Sequence, residues 1–500
     1  MRASRMRCLL LSLFIAGCGA DSGKEDDPSN PNPNPRPTPT DSSITVAGSK
    51  NTLAVNEVLA LTASGRDSRG QPVALDDVTW SSSEPSVVRV ERDGTVTGMG
   101  AGTATVTAAS GNKSGNLTLT VRGAIHSHGS ILTNETWREV DNPHIVLDDI
   151  VVAGPGTPVL TIEAGCIVRF EHGASIDIGY GSEGGTLRVQ GTAEKPVTFT
   201  TNADSPAPGQ WQGVYFLEGA TSSSISHAVL EYCGSNSGYG AENDACIIVS
   251  GSTVRPNIQD VTIQHSASQG ITFMHQGAFG SNSRGLTVTD VATAPIYMGV
   301  NELGSLPGDS AFMSNGRNVI RSPGGQVDRS QTWVNVGVPY AMEDSVYVDG
   351  ATTPTLTLSP GVTLRFGRLS YFEIGTGEGG NLRAEGTAEA PITLTADAEF
   401  PTSGHWQGLA FGEMATAASK LAQAVVEYGG APASDGNPSA NVRVIVDKGP
   451  IITQTTLRHS MGCGITRAKT PNYDTFTTDF TAPSLGNVFT DNSGPAQCGP

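Results

Sequence analysis

Short apolar runs separated by Gly, Asn, Asp and Ser fill the chain from residue 124 to residue 500. Typical runs are PVLTIEAG, IVRFEHG, SIDIGYG, LRVQGT and PVTFTTN. No window past the N-terminus shows a convincing 3.6-residue apolar period, so helices are not predicted. Strands this short, without helices between them, cannot close as βαβ units. The pattern predicts a right-handed coil whose successive turns stack their strands in register and bury their inward side chains.

One block of this region is present twice. The first copy runs from Trp137 to Phe216 and the second from Trp333 to Phe411. The offset is 196 residues at the first Trp (333 − 137) and 195 at the second (406 − 211). We therefore expect two internal copies, at about 131–328 and 329–500, within a region that spans 124–500. At ~25 residues per coil and ~4.8 Å between strands, about 15 coils would form a rod ~70 Å long.

Residues 44–122 show short strand signals at regular spacing with turns between them, which is typical of an Ig-like β-sandwich. The stretch VTWSSSEPSVVRVERDGTVTGMGAGTATVTA resembles the bacterial Ig-like group 2 domain. The residues that carry the resemblance are Trp80-Ser81-Ser82, Gly94, Gly98 and Gly102-Thr103-Ala104. We interpret Trp80 as a core residue of the sandwich. The resemblance implies a spacer or an adhesion module.

Three motifs occur in both copies of the duplicated region: L-T-[IL]-x-x-G-x-x-[VL]-R-F, G-T-A-E-x-P-[VI]-T and W-Q-G-x-x-F. With these motifs the region resembles the right-handed parallel β-helix proteins of bacterial surfaces, which share the pectin-lyase-like fold. The predicted fold class is therefore all-β, with an Ig-like β-sandwich followed by a long right-handed parallel β-helix. Because β-helices host enzymes as well as binding proteins, this fold does not decide the function.

The N-terminus has the features of an export signal. Arg2, Arg5 and Arg7 precede an apolar core that is too short to span a bilayer, so residues 1–17 are predicted to be a cleaved signal peptide. Ile15-Ala16-Gly17-Cys18 resembles the lipobox of bacterial lipoproteins, which implies lipid attachment at Cys18. Residues 18–43 are polar and Pro-rich and are predicted to be a semi-rigid linker. Gly19 is not the Asp that marks inner-membrane retention, which favours the outer membrane, with the protein facing either the periplasm or the cell surface.

The charge balance narrows the choice of partners. The formal net charge is −18, so the chain repels phosphate backbones and nucleic acid is an unexpected partner. The acidic residues are spread out, which is typical of an exported protein that must stay soluble. We expect the membrane to be a partner through the lipid anchor, while a polysaccharide and a surface protein both stay open as ligands.

Seven cysteines are present, and their spacing matches no zinc site. Cys233 and Cys246 flank the insertion GSNSGYGAENDA, which the second copy replaces with a Cys-free segment, so a disulfide is predicted there. A bond between Cys463 and Cys498 would hold the C-terminal tail on the rod. Cys166 stands where the second copy has Val362, which favours a buried thiol.

Trp211 and Trp406 occupy matching places in the W-Q-G motif. An exposed Trp can stack on a sugar ring, so both are candidate glycan-stacking residues. Recurrence in both copies is equally expected if each Trp covers an edge of the core, and we favour this structural role. Glu231 and Glu427 also recur, but about 195 residues apart they would be tens of ångströms apart on a rod of this length. They cannot share one catalytic centre.

No catalytic residue is assigned from the sequence. The Gly-rich loops at 178–185 and 374–380 are followed by strands, which argues against a dinucleotide site, and we interpret them as turns. His126 and His128 form a weak metal pattern without a third ligand, so no metal site is predicted. No cofactor is expected, although structural Ca²⁺ stays open. Asp148-Asp149, Asp177 and Glu183 are the acids that neighbouring coils are able to bring together.

The sequence thus predicts a lipid-anchored cell-surface protein that presents a β-helix for binding, adhesion or envelope structure. The alternative is a polysaccharide lyase or glycoside hydrolase on the same scaffold. An enzyme should show several carboxylates with a Lys or Arg in one groove. A glycan binder should show exposed aromatic side chains without that arrangement.

Overall fold

A computed structural model describes residues 43–55, 57–127, 129–432, 438–445, 450–468 and 477–499. The predicted signal peptide, the predicted lipid-attachment residue Cys18 and nearly all of the predicted Pro-rich linker lie outside these residues. Among the residues described, no helix is long and apolar enough to cross a membrane.

The strands of the Ig-like domain are β1 (Ser43–Ala47), β2 (Thr52–Ala54), β3 (Val58–Ala60), β4 (Thr62–Arg66), β5 (Pro72–Val73), β6 (Thr79–Ser82), β7 (Val88–Val90), β8 (Thr95–Gly98), β9 (Gly102–Ser110) and β10 (Lys113–Arg122). They form three sheets, β1-β4-β5, β2-β10-β9-β6 and β3-β8-β7. All pairs are antiparallel except β2 with β10. Alternate residues point inward, and Val88, Val96 and Val106 are fully buried. Trp80 is partly buried and packs against this core. Gly94, at φ +84°, leaves room for the ring, since a Cβ there would lie 2.8 Å from it.

The first copy of the coil begins directly after this domain. Its strands are β11 (Ala124–His126), β12 (Gly129–Ile131), β13 (Glu135–Trp137), β14 (His144–Val146), β15 (Ile150–Val152), β16 (Val159–Glu163), β17 (Ile167–Phe170), β18 (Ser175–Ile178), β19 (Thr186–Gln190), β20 (Val197–Thr201), β21 (Gly213–Phe216), β22 (Ser224–Glu231), β23 (Ala245–Ser250), β24 (Asn257–Gln264), β25 (Gln269–Met274), β26 (Thr287–Thr289), β27 (Ile296–Tyr297) and β28 (Ala311–Met313).

The second copy repeats the arrangement and begins at residue 320, before the predicted boundary at 329, because residues 320–327 are equivalent to residues 124–131 (320 − 124 = 196). Its strands are β29 (Ile320–Ser322), β30 (Gly325–Val327), β31 (Gln331–Trp333), β32 (Tyr340–Met342), β33 (Val346–Val348), β34 (Thr355–Leu358), β35 (Thr363–Phe366), β36 (Tyr371–Ile374), β37 (Asn381–Glu385), β38 (Ile392–Ala396), β39 (Gly408–Phe411), β40 (Lys420–Ala422), β41 (Ala424–Glu427), β42 (Ala440–Val444), β43 (Ile451–Thr453), β44 (Thr456–Arg458), β45 (Cys463–Arg467), β46 (Val488–Thr490) and β47 (Gln497–Cys498). The helices found among the described residues are three 3₁₀ turns, Glu139–Asp141, Leu303–Ser305 and Pro483–Leu485.

The coil strands pair in parallel, each with its counterpart one coil further along. One sheet, which we call the central sheet, contains 14 strands and runs through both copies, from β12 to β46. The first copy adds an 11-stranded sheet, in which β22 pairs with both β19 and β20. The second copy adds a seven-stranded sheet, from β30 to β47, and a five-stranded sheet, β31-β34-β37-β40-β43. The fold is therefore an Ig-like domain followed by a parallel β-helix.

The second copy continues the coil one face out of phase. Strand β18 lies in the central sheet, but its equivalent β36 (371 − 175 = 196) lies in the seven-stranded sheet. In the central sheet, β27 of the first copy pairs with β29 of the second, and β32 and β35 follow β29. By sequence, β32 and β35 are equivalent to β14 and β17, which lie in the 11-stranded sheet. Outer faces that are equivalent by sequence therefore point in different directions around the coil.

The core is one continuous apolar cluster through both copies. Trp211 and Trp406 are 0 % exposed, and each ring stacks on a Phe of a neighbouring coil, with centroids 4.0 Å from Phe170 and 4.4 Å from Phe366. The candidate glycan-stacking role of these two residues is therefore wrong, because no sugar can reach a ring that lies inside the coil. The structural interpretation holds for both.

The structure pairs Cys233 with Cys246 and Cys463 with Cys498, as the sequence analysis proposed. Cys166 is a buried free thiol whose Sγ donates to the Trp137 carbonyl at 3.4 Å. Burial raises the pKa of the Cys166 thiol to about 11. This thiol is therefore protonated and unreactive at neutral pH.

Candidate functional site

A cleft lies on the outer face of the central sheet in the first copy. It has a volume of about 330 Å³ and is lined by Asp149, Ser175, Asp177, Gln212, Tyr215, Asn236, Ser237, Gly238 and Tyr239. We call it the loop cleft. Its floor comes from successive coils, because outward residues of parallel strands align in columns. Asp177 of β18 pairs with Tyr215 of β21, and Asp149 directly precedes Ile150, the partner of Ile176.

Two carboxyl groups meet on this floor. Ser175 Oγ lies 3.0 Å from Asp149 Oδ1 and 2.8 Å from Asp177 Oδ1. A hydroxyl has one hydrogen to donate, so both contacts are hydrogen bonds only when one carboxyl is protonated and donates to Oγ. Burial, with a further contribution from the negative Asp149, raises the pKa of Asp177 to about 6. Asp177 is therefore the group that carries this proton in mildly acidic solution.

The roof of the cleft is the segment between Cys233 and Cys246, which we call the clamped loop. Asp244 Oδ1 accepts hydrogen bonds from the Ser237 backbone N–H at 2.8 Å and from Ser237 Oγ at 2.5 Å. Asn243 Nδ2 donates to the Tyr239 carbonyl at 2.8 Å. Together with the disulfide, these bonds hold Tyr239 in place over the floor. Its ring is 40 % exposed and meets Tyr215 edge-on, with centroids 6.2 Å apart.

Tyr215 and Gln212 supply polar groups between floor and roof. The Tyr215 ring is only 2 % exposed, and its hydroxyl donates to Gln212 Oε1 at 3.4 Å. Burial and the neighbouring carboxylates raise the pKa of Tyr215, so the phenol stays protonated. Gln212 Nε2 donates to the Gly173 carbonyl at 2.7 Å, which fixes the orientation of the amide. The cleft thus combines carboxyl, amide and phenol groups with one exposed ring.

Among the described residues, the second copy does not repeat the floor of this cleft. Offsets of 196 and 195 place Ser345 at the position of Asp149, Tyr371 at Ser175, Glu373 at Asp177 and Ala410 at Tyr215. The amide is kept, as Gln407. The acid pair and the buried phenol are therefore features of the first copy alone.

The structure brings together two of the acids that the sequence singled out, Asp149 and Asp177, whereas Asp148 and Glu183 do not line the cleft. Sequence reasoning missed Tyr215, Gln212 and Tyr239. A signal was present, because VYF in the first copy is LAF in the second and Tyr239 lies in the insertion. None of the described residues that line this cleft is Lys or Arg.

The recurrent glutamates have structural roles. Glu231 accepts hydrogen bonds from Thr200 Oγ1 at 2.9 Å and from Gln264 Nε2 at 2.8 Å. Glu427 accepts equivalent bonds from Thr395 Oγ1 at 2.9 Å and from Arg458 Nε at 2.7 Å. Each carboxylate therefore connects three successive coils of its own copy.

The histidine pattern resolves into a packing cluster. His128 lies outside the described residues. His126 instead stacks on Trp137, with centroids 3.9 Å apart, and its Nε2 lies 3.1 Å from His144 Nδ1. Burial and the neighbouring His144 lower the pKa of His126 to about 4. Within the described part of the chain, no group of three or more His, Cys, Asp or Glu side chains is placed to hold a metal ion.

Comparison with known proteins defines the class of the two parts. Residues 42–121 match the bacterial Ig-like domain (group 2). Residues 130–255, which include the whole loop cleft, match the pectate-lyase-like β-helix domain. A search of curated proteins finds no match. The chain thus combines a bacterial Ig-like group 2 domain with a pectate-lyase-like β-helix, and the Ig-like domain and two disulfides indicate an extracytoplasmic protein.

Proposed function

We propose that this protein is a lipid-anchored protein of the bacterial outer membrane that binds a saccharide in the loop cleft. The observation that carries the proposal is the position of Tyr239, which the clamped loop holds exposed above the paired Asp149 and Asp177. Sugar binding typically needs an aromatic ring for the apolar face of the sugar and fixed polar groups for its hydroxyls. The cleft offers both.

The absence of a cation from the lining favours a neutral saccharide. The Asp149 carboxylate is able to accept hydrogen bonds from sugar hydroxyl groups, and the oriented Gln212 amide is able to accept and to donate them. An acidic sugar, by contrast, would be repelled by the carboxyl pair. Because the disulfide and Asp244 hold the loop before any ligand arrives, little ordering entropy is lost on binding.

A second candidate function is glycoside hydrolysis, favoured by the acid pair itself. Hydrolysis of a glycosidic bond uses one protonated and one ionised carboxyl group. The raised pKa of Asp177 makes it the protonated group at mildly acidic pH. Asp149, which it meets through Ser175, would be the ionised group. A lyase is less well supported, because such chemistry needs a base and a means of neutralising an acidic sugar.

The test is a panel of neutral and acidic polysaccharides offered to the full chain, with binding and release of sugar ends both measured. We expect binding of a neutral glycan that Tyr239→Ala weakens about tenfold, in line with the loss of one aromatic contact. Ala410→Ser, at the equivalent of Tyr215 in the second copy, is the matched control and should bind normally. Binding unaffected by Tyr239→Ala would refute the site. Release of sugar ends that Asp177→Asn abolishes would establish the hydrolase instead.

The anchor is tested separately. Replacing Cys18 by Ser removes the thiol that would carry the lipid, so the protein should move from the membrane fraction to the soluble fraction. Unchanged membrane association of the Cys18→Ser variant would contradict the anchor without bearing on the cleft.

A further inference from the structure

The five-stranded sheet of the second copy carries two cations side by side on its outer face. Its register aligns one column of outward residues across four strands, namely Thr332, Thr357, Arg383 and Lys420. We call this the cationic column. Arg383 and Lys420 are directly paired across neighbouring strands, so their backbones are ~4.8 Å apart. Like charges placed directly opposite one another destabilise a sheet, so this pairing calls for an explanation.

The equivalent column of the first copy provides the comparison. It reads Thr136, Thr161, Arg188 and Ser224, with the same register. The two threonines and the arginine are thus present in both copies, whereas Lys420 and the neighbouring Glu385 stand in place of Ser224 and Gln190 and are found only in the second. The scaffold therefore does not need a cation at this position.

The nearby carboxylate only partly compensates the two cations. Glu385 Oε1 lies 3.2 Å from Arg383 Nη2 and 3.5 Å from Lys420 Nζ. Both cations keep much of their exposure, 52 % for the Arg383 side chain and 40 % for that of Lys420. Exposed ion pairs of this kind exchange readily for other partners. One positive charge is left over in a chain whose formal net charge is −18.

The column lines a shallow groove of about 570 Å³, together with Ser330, Gln331, Thr355 and Ala418. A second cavity of about 260 Å³ shares Ser330 and Gln331 with it and adds Arg255 and Arg329. Arg329 pairs with the buried Glu302 at 2.7 Å, and burial together with Arg329 lowers the pKa of Arg255. The groove thus continues along the coil past the Arg329–Glu302 ion pair, with hydroxyl groups between Arg255 and the cationic column, which suits an extended ligand better than a single ion.

We propose that this groove binds a glycan chain that carries phosphate or sulfate esters, at a site separate from the loop cleft. An ester anion presents three terminal oxygens, one more than the Glu385 carboxylate that contacts both cations, so it can reach the guanidinium and the ammonium and keep an oxygen for a hydroxyl group. Thr332, Thr355 and Thr357 offer hydroxyl groups to the sugar rings. The lining holds no aromatic side chain on which nucleic-acid bases would stack.

The test measures binding of the full chain to dextran sulfate, a phosphomannan, polygalacturonate and neutral dextran at low salt. We expect tight binding to one or both ester glycans, and the preferred one identifies the ester. Arg383→Gln with Lys420→Gln should weaken it at least about tenfold. Arg188→Gln, at the equivalent position in the first copy, should change it little. Glu385→Gln should strengthen it, because a competing carboxylate is removed.

A gain-of-function variant tests the proposal even if the Arg383→Gln, Lys420→Gln variant loses binding for another reason, such as misfolding. Ser224→Lys places a second cation beside Arg188 and should create a new ester-dependent site in the first copy. Four results would overturn the proposal: no binding to either ester, equal loss in Arg188→Gln, equally tight binding of polygalacturonate, or no gain in Ser224→Lys. None of these results depends on whether the loop cleft binds a neutral saccharide.

Discussion

The two copies share a scaffold and differ on their surfaces. Inward positions are nearly unchanged, as in IVRF and TLRF or GVYF and GLAF, and the buried Trp–Phe stacks recur at 4.0 and 4.4 Å. Outward positions diverge. Asp177 with Tyr215 in the first copy stands against Glu373 with Ala410 in the second, and Ser224 stands against Lys420. The two copies therefore share their packing and differ in the side chains that they present on the outside of the coil.

The one-face shift between the copies adds to this divergence. Because β36 does not continue the face of β18, a groove on the first copy cannot extend onto its equivalent in the second. The central sheet instead joins non-equivalent strands. The loop cleft and the cationic column lie on non-equivalent strands, β18 and β21 against β37 and β40, and we expect substitutions in one to leave the other unaffected.

The largest effect on stability is expected from replacing the buried tryptophans Trp211 and Trp406, which the two copies share. Trp211 Nε1 donates to the Glu231 carbonyl at 2.8 Å and Trp406 Nε1 to that of Glu427 at 2.9 Å. Replacing either by Ala removes a fully buried ring and leaves a cavity, so each variant should lose about 3–5 kcal/mol of stability. Chemical denaturation measures this loss. Markedly unequal losses would show that the two copies do not rely on the same packing.

The two disulfides have different expected roles, since Cys233–Cys246 holds the clamped loop and Cys463–Cys498 holds the C-terminal tail on the coil. Chain entropy predicts a loss of about 3 kcal/mol for opening the 13-residue Cys233–Cys246 link and about 4 kcal/mol for the 35-residue Cys463–Cys498 link. Replacing Cys233 and Cys246 by Ser should also weaken saccharide binding, by up to the tenfold expected of Tyr239→Ala, because the disulfide no longer holds Tyr239. The variant without Cys463–Cys498 is the control and should still bind. Equal loss of binding in both would contradict the role given to the clamped loop.

The sequence predicted the scaffold well because the coil is a periodic object. Alternation of inward apolar residues and repeated Gly turns specify stacking, and the duplication doubled the signal. The loop cleft was only partly predictable. Asp149 and Asp177 are 28 residues apart (177 − 149), and whether they meet depends on the register of β15 on β18. The insertion that carries Tyr239 was visible in the sequence, but the position of the ring was not, since it is set by a disulfide and by Asp244 in a loop without periodicity.

The smallest expected effect is a pH dependence confined to the first copy. The pKa of Asp177 is about 6 in the folded chain, above its ordinary value of 3.8, so the folded state binds the proton more tightly. Stability is therefore greatest below about pH 4 for this group and falls as the pH rises through 6. A two-unit difference corresponds to about 3 kcal/mol, which partial exposure reduces to about 1–2 kcal/mol.

Asp177→Asn should remove this slope, measured as the change in denaturation midpoint between pH 4 and pH 7. Glu373→Gln, at the equivalent position of the second copy, should leave the slope unchanged. The position equivalent to Asp149 is Ser345 in that copy, so Glu373 has no neighbouring acid there. If Asp177→Asn kept the slope, the proton on the Ser175 bridge would not belong to Asp177. If Glu373→Gln also removed the slope, the acid pair would not be what separates the two copies on this face.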